Sequence, residues 1–208
     1  MDEVEKTWRN FLLEGRKVPY QIYCDMDGVL VDLEEGVIET LGLEDIDEDI
    51  RSAAVQIIKS GLVWQDVAKE NIPELNKGVK EIFRIISKNK NFWANLPLKD
   101  DAQQLWGFLS SLNPEPYILS APWDEESRRG KVLWLSGIAG NLDPTPPKGK
   151  IILTHDKHMH AINPATKKPN ILIDDMDKYL MPWKRAGGIA IRHISTANTT
   201  EELKKWLD

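Results

Sequence analysis

The sequence predicts an α/β fold, a Rossmann-like parallel sheet core with a small helical cap inserted after the first strand. Three observations carry that expectation. Five short apolar runs, each closed at its C-terminal end by polar residues, alternate with segments of helical periodicity. Strands that alternate with helices imply a parallel sheet covered on both faces. The stretch from Asp32 to about Asn91 breaks the alternation, because it carries helical patterns and no convincing strand run.

Taken in order, residues 4–14 place Val4, Trp8, Phe11 and Leu12 near a helical period. Gln21-Ile22-Tyr23-Cys24 is the first core strand and runs straight into Asp25-Met26-Asp27-Gly28. Ala53–Ile58 and Val79–Ile86, with Pro73 between them, read as short cap helices. The cap therefore takes 32–91, and the core takes 1–31 with 92–208. Asp101–Leu112 puts Ala102, Leu105, Trp106, Leu109 and Leu112 on one helical face. Pro116–Leu119 is a strand ending at Ser120-Ala121-Pro122, and Glu125–Ile138 is a helix with an acidic first turn. Lys150–Leu153 is a strand ending at Thr154-His155-Asp156-Lys157, and Asn170–Ile173 is one ending at Asp174-Asp175. Asp177–Ala186 is a helix stopped by Gly187-Gly188 before the last strand, Ile189–Arg192. Thr199-Thr200-Glu201-Glu202 has the spacing of a capping box and opens a terminal helix.

Composition narrows the classes. With 208 residues the chain can bury a sizeable core, and 41% hydrophobic with 29% charged residues is an ordinary globular balance. Cys24 is the single cysteine, which rules out an internal disulfide framework or a cysteine zinc site. Twenty-seven basic against 33 acidic residues give a net charge of −6, which disfavours long nucleic acid and anionic membrane as partners. No apolar run approaches the roughly 18 residues of a span, and the chain begins Met1-Asp2-Glu3, acidic rather than basic. The expected location is the cytoplasm.

Function is read at the strand ends, where open α/β sheets bind ligands. Asp25-x-Asp27-Gly28 fails as a calcium loop, because Val29, Leu30 and Gly36 fill the positions that such a loop gives to an oxygen donor, a glycine and a glutamate. It remains readable as a plain Asp/Gly turn or as a nucleophile with a second carboxyl two residues on. In the second reading Asp25 attacks phosphorus, and Asp27 protonates the leaving oxygen and later activates water. Gly28 lets backbone approach the phosphate. An anion attacking a phosphate dianion needs a cation between them, and Mg2+ suits oxygen donors. Asp174 and Asp175 supply the further carboxylates; alone, such a pair after a strand is often only a helix cap. Ser120, helped by the neighbouring Ala121 backbone, is placed to bond a phosphate oxygen. Lys131, on the following helix, would neutralise charge near Asp25.

These elements, in this order, resemble the haloacid dehalogenase superfamily of phosphotransferases. The matching text is Tyr23–Leu30, Ile118-Leu119-Ser120, Lys131 and Ile171–Asp175. The resemblance implies Asp25 as nucleophile, Asp27 as acid/base, and Ser120 and Lys131 as phosphate partners. It implies magnesium on Asp25, the backbone carbonyl of Asp27, and Asp174, with Asp175 close behind. Ser87–Leu98, Gly130–Trp134 and Ile151–Lys157 are similar to the 5′(3′)-deoxyribonucleotidase family (5′-nucleotidase type C), which removes phosphate from nucleoside monophosphates. His155 stands where that family usually carries Arg, and Leu33 stands where an aromatic residue often contacts the base.

The expected partner is thus a small phosphate ester, a nucleoside monophosphate, met by Gly28, Ala121, His155 and Lys157; a homodimer is the one macromolecular assembly considered. Two other readings stand beside it: a phosphatase for another small ester or a polynucleotide end, and a non-catalytic binding module. Blander expectations cover the rest. His155, His158 and His160 lack a further soft ligand for zinc, and the spacing of His158 and His160 suits a strand or loop. Cys24 should point away from the site, because side chains alternate along a strand. Lys157 either reaches the phosphate or pairs with Asp156, and Trp64 and Trp93 are candidates for base contact or core packing.

Overall fold

The computed structural model describes residues 16–42, 82, 86, 89, 91–137 and 141–207. Arg16–Lys17 (β1) pairs in parallel with Leu112–Asn113 (β3) as a separate two-stranded ribbon. The main sheet contains Ile22–Cys24 (β2), Tyr117–Ser120 (β4), Ile151–Leu153 (β5), Ile171–Asp174 (β6) and Ile189–Arg192 (β7). All five strands are parallel, in the order β5-β4-β2-β6-β7. This is a Rossmann-like α/β fold. From β2 the chain builds one flank through β4 and β5, then returns to build the other through β6 and β7. The order therefore reverses at β2, and the crevice beyond its C-terminal end is where such sheets take ligands.

The helices are Leu33–Gly42 (α1), Ala102–Ser110 (α2), Glu125–Leu135 (α3), Asp177–Arg185 (α4) and Thr196–Leu207 (α5). Side-chain alternation along the strands divides the sheet into two faces. Ile22, Cys24, Ile118, Ile171, Ile173 and Ile191 bury against Leu105 and Trp106 of α2, Trp134 of α3 and Leu203 of α5. Tyr23, Leu119 and Leu172 bury on the other face with Leu180 and Trp183 of α4. Cys24 is fully buried in the first cluster, as strand alternation requires.

Several boundaries differ from the sequence expectation, each for a physical reason. The second strand begins at Tyr117 because Pro116 has no N–H to give the ladder. Helix α3 stops at Leu135, where Ser136 caps it and Gly137 turns the chain at φ +75°. Helix α5 starts at Thr196, ahead of the expected capping box, because Ser195 Oγ accepts the Asn198 amide at 3.2 Å and Asp101 Oδ2 accepts the Thr196 amide at 2.7 Å. His158 and His160 lie in a short 3-10 turn, Lys157–His160, rather than in a strand or plain loop. The expected helix over 4–14 and most of the cap, Trp64 included, lie outside the described residues. Of the cap stretch, α1 is helical, and Ile82 and Ile86 are buried in the first core cluster.

Candidate active site

Asp25 follows β2 directly, and its amide donates to the Ile173 carbonyl of β6 at 2.9 Å. That bond fixes the carboxylate at the sheet's central C-terminal edge, where the residue is 3% exposed. The next turn is tightly wound, with the amides of Leu30 and Val31 both donating to the Met26 carbonyl at 2.8 and 2.9 Å. Gly28 sits at φ +75°, and a Cβ there would stand 2.2 Å from Asp175 Oδ2. Any side chain at this position would collide with the neighbouring acid, so glycine is required by both backbone and contact.

Two lysines are buried among these acids. Lys131 of α3, 0% exposed, pairs with Asp27 Oδ2 and lies 3.3 Å from Ser120 Oγ. Its carboxylate partner is Asp27, whereas the sequence placed its charge near Asp25. Lys157 occupies that place. Its ammonium reaches Asp25 Oδ1 at 2.8 Å and Asp174 Oδ2 at 2.7 Å. Burial alone would lower the pKa of Lys157, but the carboxylates of Asp25 and Asp174 outweigh it and raise the pKa. Lys157 thus pairs with neither Asp156 nor open solvent. His155 is exposed and does not line the cavity described below, and the His160 ring packs on Tyr23 with centroids 5.7 Å apart.

Carboxylate oxygens of Asp25, Asp174 and Asp175 all lie within 4.8 Å of one another. Among the described residues this is the one group of metal-ligating side chains close enough to share an ion. The donor set fits a hard divalent cation on two grounds. Four carboxylates, Asp25, Asp27, Asp174 and Asp175, gather around the two buried ammonium groups of Lys131 and Lys157. Asp27 Oδ1 and Asp175 Oδ1 are buried with no hydrogen-bond donor, and Asp25 Oδ1 meets Lys157 as an ion pair without an aligned hydrogen bond. All-oxygen sites of this kind take Mg2+ or Ca2+. Without the ion, burial first and then the Asp25 charge push Asp174 and Asp175 up to about 7. The Asp27 carboxylate stands outside the three-acid group, which leaves its backbone carbonyl for the role that the resemblance implies.

A cavity of about 370 Å³ opens on Asp25, Asp27, Gly28, Ser120, Ala121 and Asp175. Its outer walls include Leu33, Lys99, Trp123 and Tyr179. The sequence reading missed Trp123 and Tyr179; of the two readings it offered for Trp93, base contact or core packing, core packing holds, with the residue 6% exposed in the first cluster. Two of the three segments that carried the nucleotidase resemblance, Ser87–Leu98 and Gly130–Trp134, pack against each other. Trp134 Nε1 donates to the Leu96 carbonyl at 2.8 Å, and a Cβ on Gly130 would stand 2.2 Å from Trp93 Cβ.

No family model matches the chain, and no curated protein matches its sequence. Solved structures do match. A haloacid dehalogenase-like family hydrolase from Streptococcus pneumoniae aligns with a TM-score of 0.51 at 15% identity, over 91% of each chain. A dehalogenase captured as an intermediate complex aligns at 0.51 and 11% identity, over 83% of each chain. A candidate phosphatase from Clostridium difficile aligns at 0.50 and 15% identity, over 88% of this chain and 90% of that one. The fold is that of the haloacid dehalogenase-like hydrolases. Similarity at this level of identity speaks to the haloacid dehalogenase-like fold, and the chemistry must be argued from the side chains.

Proposed function

We propose that the chain is a hydrolase of the haloacid dehalogenase superfamily, a magnesium-dependent phosphomonoesterase acting on nucleoside monophosphates. The observation that carries this reading is the conjunction of Asp25, Asp27 and Asp175 on one cavity, with Asp174 buried beside them and two buried lysines paired with these acids. Hydrolytic removal of a halide needs a carboxylate nucleophile, but halide departs without a proton and gives no work to a divalent cation. Cleaving a phosphate ester needs both a proton donor for the leaving oxygen and positive charge beside the phosphoryl oxygens. Asp27 and the acidic trio answer those needs.

In this reading an Asp25 oxygen attacks phosphorus while Asp27 gives a proton to the departing alkoxide, leaving an aspartyl-phosphate. Water then attacks the same phosphorus as Asp27 takes its proton, and inorganic phosphate leaves with Asp25 regenerated. Ser120 and Lys131, 3.3 Å apart, meet the phosphoryl oxygens from the β4 side. Lys157 holds Asp25 and Asp174 in place from the β6 side. Asp25, Asp174, Asp175 and the Asp27 carbonyl would hold Mg2+, which supplies charge neutralisation between nucleophile and phosphate. A cavity of about 370 Å³ sits at the small end of the roughly 300–1,000 Å³ usual for ligand sites, the scale of a mononucleotide rather than a polynucleotide.

The experiment is phosphate release from a full set of nucleoside monophosphates, with Mg2+ or with EDTA, beside halide release from a 2-haloacid. Phosphate release that requires Mg2+ is expected. Turnover of other phosphate esters but no nucleotide would leave the phosphatase and remove the substrate class. Halide release would replace the reaction, and no turnover of any kind would favour a binding module.

A further inference from the structure

We propose that Tyr179 is a positioning residue of this site: its ring covers the Lys157 ammonium and holds it to Asp25 and Asp174, away from the substrate. The kinetic half of the proposal rests on the phosphomonoesterase reading above.

Lys157 opens the 3-10 turn Lys157–His160 after β5, and Tyr179 lies in the first turn of α4 after β6. They follow strands on opposite sides of β2 and meet beside its C-terminal end, where Lys157 reaches Asp25. The place of Tyr179 is fixed by its own helix. Its amide donates to the Met176 carbonyl at 3.0 Å, and its side chain packs against the core cluster that holds Leu180 and Trp183 of α4.

The Lys157 ammonium stands 4.2 Å from the centre of the Tyr179 ring. A water between them would need a hydrogen bond of about 2.9 Å and a van der Waals contact of about 3.5 Å, and the gap is too small for both. Tyr179 lines the cavity, whereas Lys157 does not and is 1% exposed. The ring is therefore the cover of the ammonium on the cavity side.

An aromatic face attracts a cation without acting as a strong hydrogen-bond acceptor. The N–H bonds of Lys157 are thus left to the acids: one donates to Asp174 Oδ2 at 2.7 Å, and Asp25 Oδ1 lies 2.8 Å away as an ion pair. A water or a phosphoryl oxygen in the place of the ring would compete with those carboxylates. Burial strengthens the contact, because a desolvated cation gains most from an aromatic face. Lys178 stands 5.0 Å from the same ring, but it is exposed, where such a contact is weaker. Burial pushes the Tyr179 phenol up to about 12, so the ring meets the ammonium as a neutral group. In this arrangement Lys157 serves the nucleophile, and the phosphoryl oxygens fall to Ser120 and Lys131.

The first arm of the test needs no turnover. The protein is treated with an amine-acylating reagent, and its peptides are mapped by mass spectrometry. Lys157 should acylate slowly in the wild type and in Tyr179→Phe, and about tenfold faster in Tyr179→Ala, while the equally buried Lys131 stays protected. Lys157 as protected in Tyr179→Ala as in the wild type would overturn the proposal, and so would loss of protection at both lysines together. The second arm places phenylalanine rings of rising fluorine content at position 179, which keep the shape and weaken the negative face. With adenosine 5′-monophosphate and Mg2+, kcat should fall stepwise, about tenfold by the pentafluoro ring, while KM holds. A kcat that ignores fluorination would reduce the ring to a space filler and overturn the proposal. A wild type that releases no phosphate counts against the phosphatase reading alone, and the acylation of Lys157 then decides this one.

Discussion

Lys157 is the residue on which the metal-free centre turns. Its ammonium is 1% exposed and bridges two carboxylates that would otherwise face each other across the sheet's central edge. One cation among Asp25, Asp174 and Asp175 is insufficient, and the surplus shows in proton affinity. Burial, then the Asp25 charge, raises Asp174 and Asp175 from 3.8 to about 7. The sign of the linkage follows. Between about pH 4 and pH 7 the folded metal-free site binds protons that the unfolded chain has released, so its stability falls as pH rises through 7. An incoming Mg2+ must displace those protons, so its affinity should increase from pH 6 to pH 8. Calorimetric titration with Mg2+ at the two pH values checks this, and an affinity independent of pH would contradict it. The four acids were legible in the sequence because they fall in two pairs, each directly after an apolar run, Ile22–Cys24 and 171–173. The pairing of Lys157 with Asp25, and of Lys131 with Asp27, was not, because it depends on which strands become neighbours.

At the level of elements, the packing of α5 rests on a cap borrowed from elsewhere in the chain. Asp101, the residue before α2, accepts the Thr196 amide on its carboxylate at 2.7 Å and the Thr196 hydroxyl on its carbonyl at 2.9 Å. Ser195 Oγ accepts the Asn198 amide at 3.2 Å and the Asp101 carboxylate adds a second acceptor for the first turn of α5, so Asp101→Ala should cost about 1 kcal/mol. Urea unfolding measures it, and a variant as stable as the wild type would show that the contact contributes nothing. The start of α5 did carry a local signal, Ser195, whose hydroxyl accepts the Asn198 amide at 3.2 Å; the Thr199–Glu202 spacing was the wrong choice of cap, and only the Asp101 contact, from 95 positions away, has no local signature. The central strands β2, β4 and β6 were readable because burial on both faces demands unbroken apolar runs, and the half-buried edge strands β5 and β7 still keep short ones. The ribbon of β1 with β3 was not, since two residues per strand are too few to show a period. The aromatic and glycine residues that suggested a nucleotidase prove to pack the 92–96 segment against α3. The rings that line the cavity are Trp123 and Tyr179, which no periodicity singles out.

For the whole molecule, the decisive feature is the reversal of strand order at β2. It brings the ends of β2, β4 and β6 to one crevice, so residues scattered from Asp25 to Asp175 line a single cavity. The net charge of −6 is compatible with an anionic substrate, because Asp25, Asp27 and Asp175 line that cavity with Asp174 buried beside them, and the two buried lysines with one divalent cation would neutralise these four acids. Among the described residues no helix is long and apolar enough to cross a membrane. Everything proposed for the reaction depends on Asp25 being the atom-transferring group at the bottom of the crevice. The most direct test is to quench the protein in acid during Mg2+-supported turnover of a nucleoside monophosphate and map its peptides by mass spectrometry. The account predicts one added phosphoryl group, on Asp25; turnover with that group on another residue, or with no phosphorylated protein at all, would contradict it.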